Sequence, residues 1–321
     1  MIIFSRGESK RVWLTAICFL LCISDAAIAT AISRNECMSP PPGTVFCEDF
    51  ESANPKDNFD DYDGNPSGEN QVIADIGPSS DAANKVVRLR APAGQRGGAD
   101  LIKLLPGAHD RLFARWYLKY ETGFNFGAPN HGSGLAAGHR DFVGSSGNRP
   151  NGNDFAGFYV QYQENTSRPY AYSYYRGMYQ DCGTQGSCFG DSLPCVYDTG
   201  GGYCTKPQHR PLTPLPTFQA EQWYCIEQMI DMGTPTSTGT SANGHLSVWL
   251  NTQPVGDYQD LWIRTTATLK IQSLWLSLFH HDGTHSTVGE LIDNVVVSAE
   301  RIGCGSDQNP PSAPINLRII P

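Results

Sequence analysis

Arg111-Leu112-Phe113-Ala114-Arg115-Trp116-Tyr117-Leu118-Lys119-Tyr120 alternates in character from one residue to the next. Successive side chains on a strand point to opposite sides, so Leu112, Ala114, Trp116 and Leu118 make one apolar face. Arg111, Phe113, Arg115, Tyr117 and Lys119 make the other, which is cationic and aromatic. No helical period fits the run, because an apolar stripe on a helix needs spacings of three and four.

The same period of two recurs outward from this stretch in both directions. It predicts strands at Lys85 to Ala91, Arg111 to Glu121, Phe155 to Gln163, Pro169 to Tyr175, Gln222 to Asp231, His245 to Asn251, Ile271 to His281 and Leu291 to Ile302. Turn residues separate them, drawn from 33 Gly and 22 Pro, and few windows of a dozen residues escape both. Strands joined by turns, with no helices between, predict an all-β fold in which two antiparallel sheets pack as a jelly-roll sandwich. With 321 residues and 40% apolar composition the chain has the means to bury a large core.

The start of the chain reads differently. Arg6, Lys10 and Arg11 precede an apolar run from Val12 to Leu21, and Ala27-Ile28-Ala29 follows as a cleavage site. We read residues 1–29 as a signal peptide, 30–304 as the β domain with a Cys-rich loop at 181–205, and 305–321 as a Pro-rich tail. The product is expected to be secreted or periplasmic, without a transmembrane segment, and to act as a monomer. Eight of the ten cysteines remain after cleavage, an even number that suits disulfides in an exported chain. Cys37 with Cys47 would close a Pro-rich hairpin, and Cys225 with Cys304 would tie two late strands. Cys182, Cys188, Cys195 and Cys204 lack the paired CxxC spacing that zinc prefers.

The formal charge is −9 and becomes −10 on cleavage. Such an excess of acid excludes nucleic acid, whose binding draws on basic surface and counterion release. It does not exclude an anionic sugar, provided that Arg111, Arg115 and Lys119 line the groove that receives it. Tyr159 and Gln161 share a strand face, Tyr170, Tyr172 and Tyr174 share another, and Trp249 points away from Leu246, Val248 and Leu250. Flat aromatic surfaces flanked by amides suit a sugar ring, with its apolar C–H face and its hydroxyls.

Two chemistries on a sugar polymer can be compared on these residues. Retaining hydrolysis needs two carboxyl groups about 5 Å apart. Glu227 and Asp231 share a face but stand four residues, or ~13 Å, apart on an extended strand. Eliminative cleavage of a uronate needs instead a group to neutralise the carboxylate, a base and an acid. Arg115, Lys119, His131, Gln161, Tyr172, Tyr174, His280 and His281 supply candidates, with His131 placed by a Gly-rich loop from Phe126 to Gly138.

Four further stretches carry a resemblance. Phe46-Cys47-Glu48-Asp49-Phe50-Glu51, Gly132-Ser133-Gly134-Leu135, Trp223-Tyr224-Cys225-Ile226-Glu227 and Ile292-Asp293-Asn294-Val295-Val296-Val297-Ser298 are similar to the secreted concanavalin A-like jelly rolls related to alginate and glucuronan lyases. The likeness runs from about Thr44 to Gly303. It implies cleavage of a uronate-containing polysaccharide by β-elimination, with Tyr172 and Tyr174 matching a Y-x-Y strand. The loop that carries a lysine in such proteins has His131 here, so histidine takes that role or activity is lost. The S-x-R strand of the family is not visible either. The expected catalytic set is His131, Tyr172, Tyr174 and Arg115, with Lys119, Tyr117, Tyr159, Gln161, Trp249 and His281 against substrate. The resemblance also implies a structural calcium ion held by Asp49 and Asp293. A non-catalytic carbohydrate-binding protein and a surface interaction protein without a sugar ligand are the alternatives.

Overall fold

The computed structural model describes residues 32–61, 70–91, 94, 96–139, 147–178, 189–193, 215–281 and 287–305. The expected signal peptide, the four cysteines of the Cys-rich loop and the tail beyond Gly305 lie outside the described residues. Among the described residues fifteen strands, numbered in chain order, form two sheets in which every strand pairing is antiparallel. The first sheet contains β1 (Thr44–Glu48), β2 (Asn70–Ala74), β3 (Lys85–Leu89), β5 (Arg111–Tyr120), β11 (Trp223–Asp231), β12 (Gly244–Leu250), β13 (Gln253–Leu261) and β15 (Glu290–Ser298). Its order is β13-β12-β11-β5-β15-β3-β2, with β1 added along β15. The second sheet contains β4 (Gly97–His109), β6 (Asn130–His131), β7 (Ser133–Gly138), β8 (Phe155–Tyr162), β9 (Pro169–Tyr174), β10 (Asp191–Leu193) and β14 (Ile271–His280). Its order is β10-β9-β8-β7-β14-β4, with β6 beside β14. This is the two-sheet sandwich that the alternation predicted.

One core lies between the sheets. Leu112, Ala114, Trp116 and Leu118 of β5 face it from the first sheet, and Phe158, Val160, Leu274, Leu276 and Leu278 face it from the second. A polar side chain crosses this layer. Gln228 of β11, fully buried, donates through Nε2 to Phe158 O at 2.9 Å and accepts from Leu135 N at 3.1 Å. It satisfies one backbone group on each of β8 and β7 from the opposite sheet, which removes the cost of burying an amide.

The stretch expected as a Gly-rich loop, Phe126 to Gly138, is mostly strand from Asn130 onward. β6 and β7 run along β14, and β7 also pairs with β8. Its glycines serve close backbone approach: a Cβ on Gly132 would stand 2.2 Å from Val160 O, and one on Gly134 would stand 2.0 Å from Phe158 O. His131 therefore sits on a rigid element. On β15 the register slips between Asp293 and Val296, with Asn294 at φ +45°, a bulge of the kind Asn tolerates.

Both expected disulfides form, Cys37–Cys47 and Cys225–Cys304. The second ties the segment after β15 to β11. Among the described residues no helix is long and apolar enough to cross a membrane.

Candidate functional site

The expectation of one groove lined by all the candidate residues is corrected by the sheet assignment. Arg115, Tyr117, Lys119 and Trp249 lie on the outer face of the first sheet, whereas Tyr159, Gln161, Tyr172 and Tyr174 lie on the outer face of the second. The whole sandwich separates the two sets. Alternation identified the outward side chains of each strand correctly, but it carries no information on which sheet the strand joins.

The first set is engaged where it stands. Arg115 is 1% exposed, donates to Glu36 Oε2 at 2.6 Å and covers the Tyr117 ring at 5.1 Å. Lys119 pairs with Asp75 at 2.8 Å. Tyr117 Oη accepts from Gly305 N, and Trp249 lies beneath Arg301 and beside Phe113. Glu227, fully buried, accepts from Ile302 N at 2.7 Å and Gly303 N at 3.2 Å. The two chain segments that supply Glu36 and Ile302 thus lie over this face, which leaves its charges paired rather than presented to a polymer.

A second cluster on that sheet was missed in the sequence. Ser247, His245 and Asp257 converge, but Ser247 Oγ and Asp257 Oδ1 both meet His245 Nε2, at 3.0 and 2.5 Å. A nucleophilic triad needs the acid on the nitrogen opposite the serine, so this arrangement is not one.

The outer face of the second sheet gathers the remaining candidates. Cross-strand register sets Tyr172 opposite Tyr159 and Tyr170 opposite Gln161, while β6 places His131 opposite Phe279. The His131 ring lies 5.1 Å from that of Tyr172, 5.9 Å from Phe279 and 4.5 Å from His281. His131 Nε2 and His281 Nε2 are 2.9 Å apart, and Tyr172 Oη and Tyr174 Oη are 3.1 Å apart. Arg96 stands over the Phe279 ring at 5.6 Å. Neither Arg96 nor Phe279 was singled out in the sequence, since Arg96 falls in the Gly-rich lead into β4 and Phe279 looks like any strand aromatic.

Burial differentiates this face. Tyr159 and Trp275 pack edge to face at 4.8 Å and are almost wholly covered, as is Gln161. His131, Tyr172 and Phe279 are half-buried, and His281 and Arg96 are exposed. His280, also a candidate, turns into the interior beside Phe124. The accessible chemistry is therefore concentrated at His131, Tyr172, Phe279, His281 and Arg96.

The protonation states follow from the surroundings. Burial, with smaller contributions from His281 and Arg96, lowers the pKa of His131 to about 4. The imidazole is neutral at pH 7 and can accept a proton. Burial moves Tyr172 and Tyr174 upward, so both phenols keep their protons and can donate them. A neutral base and a protonated acid thus share one patch, the division of labour that acid–base catalysis needs.

Asp49 and Asp293, the expected calcium ligands, lie close enough for their charges to repel. Asp49 accepts from Cys37 N at 3.0 Å and Glu51 N at 3.3 Å, one on each oxygen. Asp293 accepts from Asn84 Nδ2 at 2.9 Å and Asn294 N at 2.7 Å. Among the described residues no three His, Cys, Asp or Glu side chains gather closely enough to hold a metal ion. Calcium takes six to eight oxygens. Each of the four oxygens accepts from one of the chain's own donors, and the rest of such a shell would have to come from carbonyls and water.

The profile of the family polysaccharide lyase 14 matches residues 93–288, more than half of the chain. The chain belongs to polysaccharide lyase family 14. The match begins just before Arg96 and ends beyond His281, so it contains every residue of the accessible cluster. A search of curated proteins finds no match to this family 14 chain. Among solved structures, an alginate lyase from Chlorella virus superposes with a TM-score of 0.56 at 14% identity, covering 79% of this chain and 99% of that one. A marine alginate lyase from Aplysia kurodai gives 0.55 at 12% identity, covering 79% and 98%. An endo-β-1,4-glucuronan lyase from the fungus Trichoderma reesei gives 0.50 at 12%, covering 80% and 96%. At these identities the superpositions speak for the fold alone.

Proposed function

We propose that this family 14 member cleaves a uronate-containing polysaccharide by β-elimination at the outer face of its second sheet. The observation that carries the reading is the convergence of His131, Tyr172 and Arg96, a neutral base, a protonated acid and a cation, on one accessible patch. Arg96 meets the substrate carboxylate and withdraws charge from it, which acidifies the proton on the neighbouring ring carbon C5. His131 takes that proton. The electron pair left on C5 forms the C4=C5 double bond as the C4–O4 bond breaks, and the Tyr172 hydroxyl protonates O4 of the leaving chain. Proton exchange with water restores both groups. Tyr174, buried behind Tyr172 and bonded to its hydroxyl, holds the phenol in position. Phe279 offers a flat surface beside them.

In this reading histidine occupies the role that the resemblance gives to lysine. Function as an exported enzyme acting on an extended polymer agrees with the disulfides and with the position of the cluster on an open sheet face. The test is incubation with alginate, glucuronan and other uronates, following ultraviolet absorbance of the unsaturated product. Product from at least one uronate supports the reading. Binding without product on any of them would replace it with a carbohydrate-binding protein.

A further inference from the structure

Gln161 was expected to contact substrate, yet it is buried and its amide is tied to the chain. Its Nε2 donates to Asn130 O at 2.9 Å and to the Tyr170 hydroxyl. Asn130 O can only accept, so this end of the amide must be the NH2 group and the other end must be the carbonyl. That carbonyl, Gln161 Oε1, is buried and has no other hydrogen-bond partner, and the same is true of His131 Nδ1. The two side chains act on one another, Gln161 favouring added positive charge on the His131 ring. Two orphaned buried polar atoms are costly, and pairing them relieves both at once.

We infer that Gln161 is a positioning residue that fixes the tautomer of His131: Nδ1–H donates to Gln161 Oε1, leaving Nε2 as the accepting nitrogen on the accessible side. The same assignment settles the neighbouring contact. With His131 Nε2 unable to donate, His281 must carry the proton across the 2.9 Å between the two Nε2 atoms. A chain of fixed donors and acceptors then runs from the Asn130 backbone through Gln161 and His131 to His281. Asn130 and His131 are adjacent on β6, and β8 carries Gln161, so strand register builds the relay. A histidine whose second nitrogen is held in this way presents its base in one orientation.

This inference rests on the lyase reading for its catalytic meaning, but its structural content is measured without substrate. Imidazole 15N chemical shifts in the full-length protein at pH 7 report which nitrogen of His131 is protonated. The expected result is an Nδ1–H tautomer in the wild type and a shift towards Nε2–H in Gln161→Leu. A wild type that is predominantly Nε2–H at His131 overturns the proposal. In turnover, Gln161→Leu is expected to lower kcat by about 10²-fold with little change in KM. Gln161→Glu keeps an acceptor for Nδ1–H and adds negative charge, so it should preserve the tautomer and move the acidic limb of the pH profile upward. Equal loss in both variants with an unmoved pH limb would make Gln161 merely structural and would overturn the proposal. If no uronate is cleaved but the spectra show Nδ1–H, the tautomer assignment stands and the lyase reading is what fails.

Discussion

Replacing Arg115 by Ala distinguishes a catalytic arginine from a structural one. The guanidinium is 1% exposed and its partner Glu36 is 13% exposed, with 2.6 Å between them. Removing one member of a buried ion pair costs roughly 3–5 kcal/mol, because the other charge is left without its counter-ion. Two features place this case at the lower end. Glu36 Oε2 also accepts from Asn294 Nδ2 at 3.2 Å, and the pair lines a cavity of ≈530 Å³ through which water reaches the carboxylate. A loss of ~3 kcal/mol corresponds to a fall in Tm of roughly 6–12 °C for a domain somewhat smaller than this one. Scanning calorimetry reads the change, with Glu36→Gln as a milder companion because its amide oxygen still accepts from Arg115. Turnover, measured on whichever uronate the wild type cleaves and at a temperature where the variant is folded, should be retained. An unchanged Tm, or abolished turnover in a folded variant, would refute the assignment of Arg115 to the covered face.

Three other outcomes are expected. Tyr172→Phe removes the acid while leaving the ring in place, so kcat should fall by 10² to 10⁴, a range typical of general acid–base groups, with an unchanged unfolding temperature. Since His131 must be neutral to accept a proton and its pKa in the substrate-free protein lies at about 4, kcat/KM should be level above pH 5 and fall only around and below 4. Stability shifts with the same sign, because a histidine whose folded pKa is lowered disfavours the folded state as pH drops below the ordinary value of about 6.5; an acidic limb centred near 6.5 would remove His131 from the role of base. Replacing Cys225 and Cys304 together by Ala opens a link between residues 79 apart in sequence, worth up to about 4.5 kcal/mol on chain-entropy grounds. Denaturant midpoints should fall while turnover of the folded protein persists, since the link lies on the face away from the cluster.

Much of the fold was legible in the sequence, for reasons that particular strands make plain. β3, β5, β8, β9, β11, β12, β14 and β15 carry enough of a period of two to be found, and they occur within a few residues of where that pattern put them. Seven strands, β1, β2, β4, β6, β7, β10 and β13, were missed, and β4 and β13 show why. The first opens on Gly97 and Gly98 and contains Pro106, and the second contains Pro254 and Gly256, residues that read locally as turns. Sheet membership was not legible at all. The partners of β5 are β11 and β15, more than a hundred residues away, and nothing in a period of two specifies such pairing. For this reason Arg115 and Lys119 were grouped with Tyr172, although their outward orientation was read correctly. The Tyr172–Tyr174 pair survived the change because it lies on one strand. Arg96 escaped notice because what makes it interesting is its proximity to His131 and Phe279, a tertiary fact.

The described ends of the chain meet on one side of the molecule. Ile32 packs with Tyr117, Cys225 and Cys304, and Gly305 N reaches the Tyr117 hydroxyl. The sandwich therefore has a back, where Ile32 and Gly305 lie, and a front, where His131 and Tyr172 face outward. Anything fused or tethered near residue 32 or residue 305 hangs from the back. A preparation immobilised through a linker at residue 32 or at residue 305 would present its front to the medium, and joining those two residues through a short loop should leave the front undisturbed.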